Sequence, residues 1–117
     1  MTVDHLLAVV PVSDLQNSEG WYTTLFGRAA DNNPMPTLAE WQVLAGGWVQ
    51  VYVDTERAGS GLLNFAVDDL ENHIAELQQR GMSPGDIVDA NKGVRLSTLT
   101  DPDGNVITLI GGFRVTY

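Results

Sequence analysis

The side chains able to carry chemistry in this chain are few and far apart. There are two histidines, His5 and His73, and no cysteine. Lack of cysteine removes thiolate nucleophiles, disulfides and Cys-type zinc sites together. The serines (Ser13, Ser18, Ser60, Ser83 and Ser97) include no G-x-S-x-G elbow, and no P-loop or G-x-G-x-x-G run occurs. Gly46-Gly47 reads as a hairpin rather than a phosphate cradle. Asp68-Asp69 resemble paired carboxylates, but they stand where a helix begins, and capping and the helix dipole account for them. Asp101 and Asp103 belong to a D-P-D-G turn: Pro102 presets φ, both aspartates can accept from nearby backbone N–H groups, and Gly104 tolerates positive φ. The parity of Arg95 is open.

The elements that position these residues follow from patterning. Residues 3–12 (VDHLLAVVPV) are apolar at nearly every position, which predicts a strand buried on both faces. Ser13 or Asp14 caps a helix over about 14–26 that Gly27 ends as a C′ residue. Residues 28–38 carry two prolines and leave room only for a short edge strand. EWQVLA (40–45) and WVQVYVD (48–54) form a hairpin. After the polar connector TERAGS come an apolar strand at 61–67 and a helix at about 69–80, capped by Asp68 or Asp69 and ended by Gly81. Residues 82–91 are a loose connection or weak strand, and 93–100 pairs with 105–110 across the D-P-D-G turn. Val106, Thr108 and Ile110 share one face of that last strand.

The order strand, helix, three strands occurs twice. Val12-Ser13-Asp14-Leu15 corresponds to Val67-Asp68-Asp69-Leu70, and both helices end at glycine. The expected fold class is therefore α+β: two βαβββ modules, about 1–55 and 60–117, forming a curved, partly closed mixed sheet with helices outside. One such module buries its sheet poorly, so the two should pack as a single domain. A length of 117 residues with 44% hydrophobic content suits that. No apolar run is long enough to span a bilayer, and the first residues lack the basic region of a signal peptide, so a cytoplasmic protein is expected. Six Lys+Arg against fifteen Asp+Glu, a net charge of −9, argue against nucleic acid and anionic membranes as partners; the charge reads first as solubility and, alternatively, as a preference for cationic or neutral ligands, and by itself does not choose between them.

The stretches VSDLQNSEGWYTTLFG (12–27), FAVDDLENHIAELQQRG (65–81) and DPDGNVITLI (101–110) together resemble the vicinal oxygen chelate superfamily, which includes glyoxalase I, extradiol dioxygenases, and fosfomycin- and bleomycin-resistance proteins. In that family's metalloenzymes, ligands come from the first, fourth, fifth and last strands. The resemblance places those positions at Leu7, Gln50, Leu62 and Thr108, none of them a strong ligand for a divalent ion. His5 lies two residues before Leu7 and reads as a hydrogen-bonded pocket or rim residue. His73 reads as a surface or half-buried helix residue, and Trp21 and Tyr22 as packing residues.

A scaffold without its metal implies metal-independent binding of a small, partly hydrophobic organic molecule in the concave sheet, as in bleomycin-resistance proteins, with no cofactor. The expected ligand-binding residues are His5, Leu7, Trp41, Trp48, Gln50, Tyr52, Leu62, Asn64 and Thr108. Trp48 and Tyr52 read equally well as core residues. The resemblance also implies a homodimer with pockets built from both chains. The alternative is a lyase or dioxygenase-type enzyme with a non-standard site; the balance leans toward no catalysis.

Overall fold

The computed structural model of the protein describes residues 1–116. Tyr117, the last residue of the expected second module, lies outside them. The first module runs β1 (Leu6–Val12), α1 (Leu15–Phe26), β2 (Asn32–Met35), β3 (Leu38–Leu44) and β4 (Gly47–Val53). The second runs β5 (Leu62–Val67), α2 (Leu70–Gln79), β6 (Val88–Asp89), β7 (Arg95–Thr100) and β8 (Val106–Gly111). The fold is α+β. Its strands form two four-stranded mixed sheets, ordered β1-β4-β3-β2 and β5-β8-β7-β6, with β1 parallel to β4 and β5 parallel to β8.

Local chemistry explains the boundaries. The Asp14 side chain accepts from Gln16 N at 3.1 Å, and Gly27, at φ 73°, closes α1 in the left-handed conformation. Asp69 caps α2 by accepting from Asn72 N. β2 is the exposed edge strand that its prolines predict, and the loose connection after α2 retains only the two-residue β6.

One face of each sheet carries the helices and the core. Val10, Val12, Ala39, Trp41, Val49 and Val51 meet Tyr22 and Leu25 there, and Leu99, Ile107 and Leu109 meet Leu70 and Leu77. Both modules contribute to one buried cluster, and Phe26 stands edge-on to Phe65 across the divide at 5.9 Å. The expectation of a first strand buried on both faces is corrected: Val10 and Val12 are buried, whereas Leu7 and Val9 are 49% and 54% exposed. Helices cover one side of β1 only, so an all-apolar strand leaves half its side chains open.

The modules bond to each other within one chain. Asn105 Nδ2 donates to Pro11 O at 2.7 Å, while within the second module Asn105 Oδ1 accepts from Gly61 N at 2.7 Å. Asp103 accepts from Ser13 N and Ser13 Oγ. Gly59, at φ 88°, packs its α-carbon against the Asp103 carbonyl so closely that a Cβ there would lie 2.2 Å from that oxygen. Among the described residues no helix is long and apolar enough to cross a membrane.

Candidate functional site

The faces opposite the helices are where β-register brings the predicted residues together. On the first sheet, three rows run across the strands: Leu7–Trp48–Gln42, Val9–Gln50–Glu40–Asn32 and Pro11–Tyr52–Leu38. The second sheet presents Leu62–Val106–Thr100, Asn64–Thr108–Thr98 and Ala66–Ile110–Leu96. Residues directly opposite in a ladder share a face, so each row is a line of neighbours. Both sheets repeat one scheme: a middle row with hydrogen-bonding groups between two mainly apolar rows. Leu62 is 81% exposed and Tyr52 38%. Trp48 is half-buried, which places it and Tyr52 on the open face rather than in the core. His5 is exposed and precedes β1.

Trp41 needs correction. It pairs with Val49, not with Gln50, and so lies on the helix side, fully buried. Its ring packs on Tyr22 and Phe26, and its Nε1 donates to Arg28 O at 3.0 Å. The residue beside Gln50 is Glu40, absent from the expected ligand-binding set. Gln50 Nε2 donates to Glu40 Oε2 at 2.5 Å. The hairpin alone did not signal it: pairing about Ala45-Gly46, with Leu44 opposite Gly47, would set residue 41 opposite residue 50, and the register shift between Gln42 and Leu44 sets residue 40 there instead.

The D-P-D-G-N segment also does more than turn the chain. Asp101 is 4% exposed and accepts four hydrogen bonds: from Tyr22 Oη (2.7 Å), Asn105 Nδ2 (2.8 Å), Asp103 N and Asn105 N (both 2.9 Å). Burial, together with the hydrogen bond to Asp101 and the nearby charges of Asp101 and Asp103, pushes the Tyr22 phenol far above its ordinary range. A raised acid pKa makes the unfolded chain lose its proton first, so the sign is destabilising with rising pH. Stability should therefore fall above about pH 10, where unfolded tyrosine ionises. Denaturant titrations at pH 8 and pH 11 should show a smaller fall for Tyr22→Phe than for the parent protein; equal falls would remove Tyr22 as the cause.

The remaining charged groups are on the helix side or the surface. Arg95 pairs with Glu71 of α2, which settles its orientation and holds the Glu71 carboxyl below its usual value. His73 is a helix-surface residue 3.0 Å from Asp68. Two clefts lie away from the open rows: about 440 Å³ lined by Trp21, Thr24, Arg80, Met82 and Leu99 among others, and about 530 Å³ between Leu15, Glu19 and Pro34.

Residues 7–110 match the family model described as a glyoxalase-like domain. The chain belongs to the glyoxalase-like domain family. That places it in the vicinal oxygen chelate superfamily. Among solved structures, this glyoxalase-like chain is similar to a glyoxalase/bleomycin resistance protein from Catenulispora acidiphila DSM 44928, with 30% identity, a TM-score of 0.85, and 92% of this chain and 96% of that one covered. An antibiotic binding protein from Streptomyces sp. CB03234 is 27% identical, with a TM-score of 0.74 over 95% of this chain and 98% of that one. A lactoylglutathione lyase from Agrobacterium tumefaciens, 17% identical with a TM-score of 0.73 over 92% of each chain, shows the shared fold. No curated protein matches the sequence.

The metal of related glyoxalase-like enzymes does not fit the residues present. Leu7 and Leu62 offer no donor atom, and Gln50 and Thr108 only neutral oxygens. Among the described residues no three His, Cys, Asp or Glu side chains converge.

Proposed function

We propose that this glyoxalase-like protein binds a small, partly hydrophobic organic molecule against its open sheet faces, without a metal, and works as a homodimer. The observation that carries this is the pair of open faces: Leu7, Val9, Tyr52 and Leu62 are 38–81% exposed, on rows that also hold Trp48 and a line of hydrogen-bonding side chains. Large apolar side chains left exposed together on a sheet face mark a binding face. Apolar rows bracketing a polar one suit a flat ligand with few hydrogen-bonding groups. The names of two neighbours, an antibiotic binding protein and a glyoxalase/bleomycin resistance protein, support the same class. The cysteine-free sequence suits a reducing cytoplasm.

The dimer follows from how open those faces are in one chain. A ligand on either sheet keeps one side in water unless a second sheet covers it, and a partner's open face supplies that cover. Sedimentation equilibrium should give twice the 12.7 kDa chain mass. Leu62→Glu should weaken association by roughly tenfold or more while leaving each chain folded, because Leu62 is already exposed in the single chain. A strict monomer for the parent protein would overturn the dimer. Saturable quenching of tryptophan fluorescence by aromatic compounds, unchanged by EDTA and shifted to about tenfold higher concentration in Trp48→Ala, tests the pocket. Stoichiometric, tightly held metal in the purified protein would sink the metal-independent part.

A further inference from the structure

Among the described strand residues a single carboxylate, Glu40, stands on the open faces. Apart from Glu40, the charged residues in strands are Arg95 and Asp89, which pair with each other in register on the side where Arg95 meets Glu71. Glu40 is half-buried and accepts only from neutral amides, Gln50 Nε2 at 2.5 Å and Asn32 Nδ2 at 3.4 Å. The arginines near the sheets are engaged elsewhere: Arg28 with Asp31, Arg57 with Asp54, Arg80 with Glu76 and Arg95 with Glu71. Arg114 donates to the carbonyl of Lys92, in the connection between β6 and β7. Among the described residues no ion pair therefore involves the Glu40 carboxylate.

Its diagonal neighbours on β4 are aromatic. Trp48 and Tyr52 flank Gln50 along β4, about 7 Å to either side at the usual strand rise. Covering Glu40 with a neutral ligand would strip water from a carboxylate and return nothing, a cost that selects against neutral occupants. A cationic nitrogen placed over the middle row meets the carboxylate directly and the ring faces at its sides.

We propose that Glu40, with Trp48 and Tyr52 beside it, recognises an organic cation: an ammonium or amidinium group carried on a flat hydrophobic ligand. This rests on the open faces being the binding site.

The test compares three probes of one shape by isothermal titration calorimetry: biphenyl-4-ylmethylamine, biphenyl-4-ylmethanol and biphenyl-4-ylacetate. The amine should bind the parent protein roughly tenfold tighter than the alcohol, and the acetate weaker than both. Glu40→Gln keeps the shape of the side chain and should bring the amine to the level of the alcohol, whose own affinity holds or rises. Added NaCl should weaken the amine and spare the alcohol, a readout independent of any variant. Equal binding of amine and alcohol by the parent, or an amine affinity untouched in Glu40→Gln, overturns the cation and leaves the pocket standing. Failure of all three to bind the parent overturns both.

Discussion

Replacing Asp101 with alanine should lower the unfolding midpoint by about 10–20 °C, the largest loss expected from any exposed-looking turn residue in the chain. The substitution deletes both acceptors of a buried group of donors. Tyr22 Oη and the Asn105 N–H are left without a partner and Asn105 Nδ2 keeps only Pro11 O, in residues 0–1% exposed. Each orphaned buried donor costs about 1–3 kcal/mol, with water entering the gap to recover part of it, so a net loss of about 3–5 kcal/mol is expected. Domains of this size are stable by only about 5–15 kcal/mol. Tyr22→Phe removes one donor and leaves Asp101 three others, so it should cost about 1 kcal/mol. The double variant should be no worse than Asp101→Ala alone, because the two share one bond. Thermal unfolding by circular dichroism checks all three. A midpoint for Asp101→Ala within a few degrees of the parent would show that the network carries little of the fold.

The consequence reaches the site. Asp101 meets Tyr22 of the first module, Asn105 bonds Pro11, and Asp103 holds Ser13. The two sheets share no ladder, so these bonds and the Phe26–Phe65 contact fix how the open faces are set relative to each other. In the sequence, D-P-D-G-N announced only a turn. The turn was legible because proline and glycine restrict the backbone locally. The latch was not, because its partners lie 79 to 94 residues away along the chain.

The same boundary separates what was legible elsewhere. Helix caps at Asp14 and Asp69, the glycines at 27 and 81, and both hairpins follow from residues within a few positions of one another. Leu7, Trp48, Gln50, Tyr52, Leu62, Asn64 and Thr108 fell on the open faces because strand parity needs only counting by two from a good anchor. Trp41 fell on the wrong face because the pairing register of β3 with β4, which shifts between Gln42 and Leu44, is set by the turn and not by composition. The same slip hid Glu40. Which faces carry helices was also beyond local patterning: β1 is apolar on both sides, and only the packing of α1 shows that Val10 and Val12 are inside and Leu7 and Val9 outside.

That correction makes the two tryptophans of the first hairpin a sharp pair. Trp41→Ala should destabilise the protein by about 3–5 kcal/mol, since it empties a fully buried indole site between Tyr22 and Phe26 and orphans the Arg28 carbonyl. Trp48→Ala, on the half-buried open face, should cost the single chain about 1 kcal/mol or less. Binding should invert the order. Trp48→Ala should weaken an aromatic probe by about tenfold, from the loss of a ring stacked on it, and Trp41→Ala, measured below its lowered midpoint, should hold the parent affinity within a few-fold. Chemical denaturation and a fluorescence titration on the same preparations separate the two effects. If Trp48→Ala proved the more destabilising of the two, the open face would be core in solution, with the partner chain rather than a ligand as its main occupant. If both variants kept the parent's affinity, no ligand would be sitting on the Trp48–Gln50–Tyr52 row.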